Sequence, residues 1–346
     1  MSATVQLTLI FDKNDLIASP YGDVAEGTSV TAEGWMTTDY VDVSRYVGMK
    51  VCLAARKTLQ SVAFFDADRR YMSGIGTFSN DGVAEHPGIN HVSVTTVQRF
   101  ADVPEGAVYA RFLTYDGVHD PMKDAAVVAY ADADAYAEAR STAGWLSGRK
   151  IACIGDSLTE GDYGIAPCVA NVHYRNYPFF LARLTGAETV NYGRCGASSS
   201  SYTERLYNAG YVDVKDADIV LLMLGTNLGL RDGLAEAYVQ LVERVRADMK
   251  DGAQLILITP VHATEDPRWC NCGCNPNVQS AVEFIRAYAP KAGLPFIDAY
   301  ADSPIQPENE DIYQANDGLH MCEAGLMAFA TFIDGELKRI LHTANH

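Results

Sequence analysis

The sequence predicts an α/β fold, a doubly wound parallel five-stranded sheet, preceded by an all-β sandwich domain. Two observations support this prediction. Residues 1–130 carry short β-branched and aromatic runs between turn-forming residues, and from Lys150 onward apolar strands alternate with helical patterns. An alanine- and aspartate-rich stretch lies between these two regions. We therefore expect a β-sandwich domain over 1–130, a linker over 131–148 and an α/β domain over 149–346.

The amino-terminal region has seven runs of strand length, with turn signals such as 66–68, 80–82 and 104–106 between them. Short strands at this spacing are typical of an antiparallel sandwich. The predicted strands are Thr4–Phe11, Tyr40–Val43, Val51–Ala55, Ser61–Phe65, Val92–Val97, Ala107–Tyr115 and Ala125–Tyr130.

The second region has five apolar strands, some of them apolar on both faces, as in a parallel sheet covered by helices on both sides. Helical spacing is clearest over residues 234–249 and 326–341. Ligands of such a sheet bind at the carboxyl ends of its strands. The predicted strands are Lys150–Ile154, Thr189–Tyr192, Ile219–Leu224, Leu255–Thr259 and Pro295–Asp298.

The composition excludes several classes of partner. The chain has 346 residues, 48% of them hydrophobic, and its formal charge is 27 − 44 = −17. A protein this acidic is a poor partner for nucleic acid or for an anionic membrane surface. No apolar run reaches the roughly 18–20 residues that span a bilayer. The first residues have no basic flank, so we expect a cytoplasmic protein, with a virion-associated or exported one left open.

Four polar clusters follow predicted strands of the second region or precede its final helix. Each one alone is typical of an ordinary turn or helix cap. Together they supply a serine nucleophile, donors for an oxyanion and a histidine beside an aspartate, which is the chemistry of acyl transfer. Asp317 and His320 are three residues apart, so we expect the carboxylate to reach the imidazole across one turn. The clusters are Gly155–Thr159, Asn191–Ser198, Gly225–Asn227 and Asp317–His320.

In these four clusters the region 149–342 resembles the SGNH, or GDSL, hydrolase family. The resemblance implies that Ser157 is the nucleophile, with Asp317 and His320 completing a catalytic triad. It also implies an oxyanion hole formed by Ser157, Gly196 and Asn227. The chain has no Gly-x-Ser-x-Gly sequence at the serine, which argues against an ordinary α/β-hydrolase. No cofactor or metal is expected for this chemistry.

The family resemblance implies a serine esterase acting on a small-molecule or glycan ester. We expect a short acyl group, acetyl foremost, on a carbohydrate, because the amino-terminal region resembles β-sandwich modules of carbohydrate-active or phage tail proteins. Trp35, Tyr40 and Tyr71 there are either sugar-stacking or core residues. A lipase or thioesterase with the same triad remains an alternative, as does a non-catalytic glycan-binding tail or adhesin protein.

Further polar residues belong to the same predicted edge. His262 is a candidate substrate contact or a surface histidine, and Asp156 is a candidate substrate contact or a helix cap.

Cys270, Cys272 and Cys274 lie in a loop over the predicted crevice. Their spacing does not fit a structural zinc site, so a local disulfide or free thiols are favoured over a metal. Cys168, His173 and Arg194 lie on the same rim without an assigned role.

Overall fold

The computed structural model describes residues 4–19, 24–55, 59–76, 95–116, 122–163, 173–315 and 317–343. Among them the chain forms two compact units. The first draws on the chain up to residue 148 and on 185–188, and the second on 149–184 and the chain from 189 onward. The segment 131–148, predicted as a linker, belongs to the first unit. The predicted domain boundaries stay a prediction.

The first unit is built from antiparallel strands, followed by one helix that Asp132 caps through a hydrogen bond from the Ala135 amide. Its described elements are β1 (Thr4–Gln6), β2 (Phe11–Lys13), β3 (Leu16–Ile17), β4 (Ser29–Val30), β5 (Trp35–Thr38), β6 (Val41–Asp42), β7 (Gly48–Ala55), β8 (Gln60–Phe65), β9 (Tyr71–Gly76), β10 (Thr95–Asp102), β11 (Tyr109–Tyr115), β12 (Ala126–Tyr130) and α1 (Ala133–Thr142).

Two sheets share one core in this unit. One sheet has the order β1-β12-β7-β10 and the other β2-β5-β11-β8-β9, with β6 also pairing with β11. Leu53 and Val127 of the first sheet and Phe64 and Phe112 of the second belong to the same buried cluster. The region is therefore antiparallel and β-rich, as predicted, and its packing is that of a sandwich. Trp35 is 1% exposed and packs on Tyr115, so it is a core residue and not a sugar platform.

The strand predictions for this unit are right in part. The run 4–11 divides into β1 and β2, and the strands β3, β4, β5 and β9 were not predicted. Strand β9 carries Gly74 and Gly76, which weaken the strand signal. A Cβ at Gly74 would come within 2.6 Å of the Gln60 side chain, so the neighbouring strand requires a small residue there. The turn predicted at 80–82 and the first residues of the run 92–97 lie outside the described residues.

The second unit contains a parallel five-stranded sheet with the strand order β14-β13-β15-β16-β17, which confirms the predicted fold class. A π-helical turn (Thr203–Tyr207) follows one of its short helices, and a 3-10 turn (Pro307–Asn309) precedes another. The described elements are β13 (Lys150–Gly155), α2 (Ser157–Glu160), α3 (Tyr177–Thr185), β14 (Glu188–Gly193), α4 (Ser199–Tyr202), β15 (Ile219–Met223), α5 (Gly233–Asp248), β16 (Gln254–Ile258), α6 (Asn275–Lys291), β17 (Phe296–Ile297), α7 (Ala299–Asp302), α8 (Glu310–Tyr313) and α9 (Glu323–Thr343).

The sheet order brings three polar clusters together. Strand β13 lies between β14 and β15, and each of these strands is followed by one predicted cluster. Chain direction across the sheet reverses at β13, which is where an open α/β sheet leaves a crevice for ligands. The functional side chains are therefore expected at the carboxyl ends of these three strands.

None of the helices in the described part of the chain combines the length and apolar character needed to cross a bilayer.

Candidate active site

Ser157 lies directly after β13, at the first position of α2. Asp156 caps this short helix: its Oδ1 accepts a hydrogen bond from the Leu158 amide at 3.1 Å. The serine is 4% exposed, and the helix ends one turn later at Gly161, which has the left-handed conformation (φ 100°). The hydroxyl is thus fixed at the carboxyl edge of the sheet by a short, tightly capped turn.

Ser157, His320 and Asp317 form one row of hydrogen-bonding groups. His320 Nε2 is 2.8 Å from Ser157 Oγ, and His320 Nδ1 is 2.5 Å from Asp317 Oδ2. The contact between serine and histidine joins residues 163 positions apart in the sequence. The side chain of His320 is 12% exposed and that of Asp317 is 1% exposed. The chain therefore places a hydroxyl, an imidazole and a buried carboxylate in the order that base-assisted attack requires.

Asp317 reaches the histidine differently from the expected helical turn. Residues 317–320 form a bend before α9, and Asp317 Oδ1 accepts the backbone N–H groups of Leu319 and His320, both at 3.0 Å. The second carboxylate oxygen is left for the imidazole. The aspartate thus organises the backbone of its own turn and orients the ring at the same time.

Backbone hydrogen bonds from the segment 264–271 stabilise the turn that carries Asp317. The Thr264 amide donates to the Gly318 carbonyl at 2.8 Å, and the Asn271 amide donates to the Asp317 carbonyl at 3.2 Å. Gly318 has φ 74°, and a Cβ there would lie 2.1 Å from Thr264 Cγ2, so both conformation and space require glycine. The loop after β16 is therefore part of the support of Asp317.

Electrostatics favour a protonated histidine. Burial opposes the imidazolium, but the hydrogen bond to Asp317 and the charges of Asp162, Asp317 and Asp156 outweigh it. The pKa of His320 is consequently raised above its ordinary value of 6.5. Burial raises the pKa of Asp317, but the contact with His320 and the hydrogen bonds from two backbone N–H groups outweigh it. The pKa of that carboxyl is therefore held below its usual value.

The residues predicted as oxyanion donors lie on loops that contact one another. Gly196 is exposed and has φ 71°, and the side-chain amide of Asn227 donates to the carbonyl of the next residue, Ala197, at 3.1 Å. The Arg194 amide donates to the Gly155 carbonyl at 3.0 Å, which joins the same loop to the end of β13. The three clusters are thus brought together at one edge of the sheet.

Two buried acids near the serine were not singled out from the sequence. Glu160 is 2% exposed, and its Oε2 accepts the Cys195 amide at 2.5 Å, while Arg194 lies 3.8 Å from Oε1. Asp162 is 4% exposed, and its Oδ2 lies 3.7 Å from His320 Nε2. Two acids within five residues of the serine were the available signal, but that pattern is also typical of a solvated helix end.

Asp156 and His262, the two predicted substrate contacts, have protein contacts that do not place them beside the substrate. Asp156 is fully buried, and desolvation raises its pKa to about 6, so the structure favours the capping alternative over direct substrate contact. The ring of His262 packs against Tyr300, with centroids 5.5 Å apart, and its carbonyl accepts a hydrogen bond from Gln314. Among the described contacts none joins His262 to the serine, histidine and aspartate row.

No disulfide joins two cysteines within the cysteine-rich loop. Cys270 is disulfide-bonded, whereas Cys272 and Cys274 are not, and neither are Cys52, Cys153, Cys195 and Cys322. Within the described ranges no group of three or more histidine, cysteine or acidic side chains is arranged to hold a metal ion. Cys168 lies outside the described residues.

A doubly wound sheet that carries a serine, a histidine and an acid in one hydrogen-bonded row is typical of a serine hydrolase. The model of the GDSL-like lipase/acylhydrolase family matches residues 153–327, just over half of the chain. The chain belongs to this family, and it is a carboxylic ester hydrolase. No curated protein matches the chain.

Solved structures with similarity to this chain include three esterases or acylhydrolases. A carbohydrate acetylesterase family member from Sinorhizobium meliloti is 16% identical over 56% of this chain and 99% of its own, with a TM-score of 0.45. The native aryl esterase of M. smegmatis is 18% identical, also over 56% and 99%, with a TM-score of 0.44. A lipase/acylhydrolase from Enterococcus faecalis is 21% identical over 55% and 95%, with a TM-score of 0.40.

Proposed function

We propose that this protein is a serine esterase that removes short acyl groups, acetyl foremost, from a carbohydrate-like alcohol through an acyl-enzyme. The observation that carries the proposal is the row of three side chains, with Ser157 Oγ 2.8 Å from His320 Nε2 and His320 Nδ1 2.5 Å from Asp317 Oδ2. Both distances lie within hydrogen-bonding range, which supports proton transfer from the serine to the histidine in this arrangement.

In the proposed first half-reaction, Ser157 Oγ attacks the ester carbonyl carbon and its proton passes to His320 Nε2. The imidazolium is stabilised by Asp317 at Nδ1, and it then gives the same proton to the oxygen of the departing alcohol. In the second half-reaction water attacks the acyl-enzyme, and His320 takes the proton of that water and returns it to Ser157. The acid is released and the enzyme regenerated, with no cofactor consumed.

The negative charge on the carbonyl oxygen requires fixed donors during both half-reactions. We assign this role to the backbone N–H groups of Ser157 and Gly196 and to the side chain of Asn227. A primary amide carries two N–H bonds. One of those of Asn227 anchors the Ala197 carbonyl, which positions the loop of Gly196, and the other is assigned to the oxyanion.

The test is a series of p-nitrophenyl esters of increasing acyl length, assayed with the wild type and with Ser157→Ala. We expect the highest kcat/KM on acetate, and a loss of at least about 10³-fold in the variant because the nucleophile is absent. Circular dichroism of the variant checks that the fold is retained. Unchanged turnover by Ser157→Ala would refute the assigned nucleophile, and a rate that climbs with acyl length would favour the lipase or thioesterase alternative.

A further inference from the structure

The carboxylate of Asp162 faces the reacting edge of the histidine. Its Oδ2 is 3.7 Å from Nε2 of His320, the nitrogen that also contacts Ser157 Oγ. Asp317 contacts the other ring nitrogen. The site therefore contains a second acid whose position is not needed to orient the ring, because the ring is already fixed through Nδ1.

The local backbone directs this acid to its position. The Gly161 and Asp162 amides both donate to the Ser157 carbonyl at 3.0 Å, so the chain closes on itself one turn after the serine. Gly161 is in the left-handed conformation, and a Cβ there would lie 2.5 Å from Asn176 Cβ and 2.8 Å from the His173 carbonyl. The tight turn after α2 thus returns Asp162 toward the hydroxyl that begins the helix.

Asp162 is as buried as the serine itself. Both residues are 4% exposed, and Asp162 Oδ2 also lies 3.8 Å from the Cys195 thiol, on the loop that carries Gly196. A carboxylate that is 4% exposed has little contact with solvent, so a further hydrogen-bond donor stabilises it more than an apolar neighbour does. A substrate that fills this site is therefore favoured when it brings a donor to Asp162.

The reaction geometry indicates which part of the substrate meets this acid. His320 Nε2 must deliver a proton to the departing alcohol oxygen, which places that oxygen about 3 Å from Nε2. A hydroxyl on the neighbouring carbon of the alcohol then comes within reach of a carboxylate oxygen 3.7 Å from the same nitrogen. The carbonyl oxygen of the ester, by contrast, points toward the proposed oxyanion donors.

We infer that Asp162 determines specificity for esters whose alcohol carries a hydroxyl next to the ester oxygen, as in monoacylated vicinal diols and sugars. The inference rests on the proposed function, since it assigns the alcohol side of the same site. A hydrogen bond to a buried carboxylate is stronger than one between neutral groups, so the preference is expected to be on the order of 10- to 100-fold in kcat/KM.

The test compares 2-hydroxyethyl acetate with propyl acetate, which differ by a hydroxyl in place of a methyl group. With the wild type we expect higher kcat/KM for the hydroxylated ester. In Asp162→Ala the ratio of the two values is expected to fall toward one, and in Asp162→Asn, whose amide oxygen still accepts a hydrogen bond, to an intermediate value. Acid release is measured at a pH where each variant has reached its plateau, so that altered protonation of His320 does not enter the ratio.

A matched control is Asp216→Asn, which removes an exposed carboxylate that pairs with Lys150 at the start of β13, the end of the strand away from the serine. Its ratio should equal that of the wild type. Equal losses on both esters in Asp162→Ala would mean that the acid acts only through His320, and would overturn the inference. A wild type that prefers neither ester would also overturn it while leaving the esterase intact, whereas a wild type that hydrolyses no ester at all would refute the proposed function.

Discussion

Two carboxylates act on different nitrogens of one imidazole. Asp317 lies 2.5 Å from Nδ1 of His320, whereas Asp162 lies 3.7 Å from Nε2. Both charges favour the protonated ring and, together with that of Asp156, raise its pKa. A general base works only in its neutral form, so these carboxylates move the onset of activity to higher pH while stabilising the imidazolium that forms during attack.

This arrangement predicts a pH profile. The kcat/KM of the wild type on p-nitrophenyl acetate should rise with pH through an apparent pKa above the ordinary histidine value of 6.5, and should be lost as pH falls through that pKa. Asp162→Asn removes one of the causes that raise the pKa of His320, so its rising limb should move to lower pH. Initial rates across about pH 5 to 9 measure the rising limb of the wild type and that of Asp162→Asn. Asp216→Asn is the control, and its profile should match that of the wild type. A flat wild-type profile, or a limb that stays in place in Asp162→Asn, would contradict the assignment.

At the residue scale, the sequence predicted a serine, histidine and aspartate site because polar clusters after strands and before the final helix form a pattern typical of acyl transfer, and the structure brings these three side chains together. It did not identify Glu160 and Asp162, since acids at the end of a short helix are commonly solvated. Their burial arises from contacts that link the first cluster to Cys195 and His320, 33 and 158 positions beyond Asp162. Such contacts are set by the whole fold, so the local sequence does not distinguish these buried acids from solvated ones.

At the scale of elements, α2 depends on a close approach of β14 beneath it. A Cβ at Gly193, the last residue of β14, would lie 2.1 Å from the Glu160 amide nitrogen and 2.6 Å from the Thr159 carbonyl carbon. Asn191 of the same strand donates through its side chain to the Thr159 carbonyl at 2.9 Å. The backbone at the end of β14 therefore packs directly against the backbone of α2, the helix that carries the serine.

Gly193→Ala is therefore expected to destabilise the protein by about 1–3 kcal/mol, because neither backbone can yield easily, and to lower kcat by displacing α2. The matched control is Gly335→Ala in α9, where a Cβ would meet nothing within 4 Å. That change should stabilise by about 0.5–1 kcal/mol, since glycine is a poor helix former. Urea unfolding measures both variants, and equal midpoints for Gly193→Ala and the wild type would contradict the proposed close packing.

The five strands of the second unit and its helices α5 and α9 were predicted to within a few residues at each boundary, whereas α3 and α6 were not predicted. Strand β15 is apolar on both faces and α5 has a clear helical repeat, so local pattern and tertiary environment agree there. Strand β9 was missed because it contains glycines, which are rare in strands. Gly74 is required there by the close approach of the Gln60 side chain. The bonded state of Cys270 was also open, because disulfide pairing depends on distances that spacing does not encode.

At the scale of the whole molecule, the chain joins an antiparallel, β-rich unit to a unit of the GDSL-like lipase/acylhydrolase family. The formal charge of −17 belongs to the entire chain and disfavours polyanionic partners. Neutral, hydroxylated esters are compatible with both this charge and the buried acids near His320. The chemistry is assigned to one serine among the many that the chain contains.

Reaction with a fluorophosphonate ester tests this central assignment most directly, because the reagent phosphorylates a serine that a neighbouring base activates. Intact mass spectrometry followed by peptide mapping should give a single adduct, located at Ser157, together with complete loss of ester hydrolysis. Ser157→Ala should remain unlabelled under the same conditions. An adduct at another residue, or full turnover by a protein labelled at Ser157, would contradict the account.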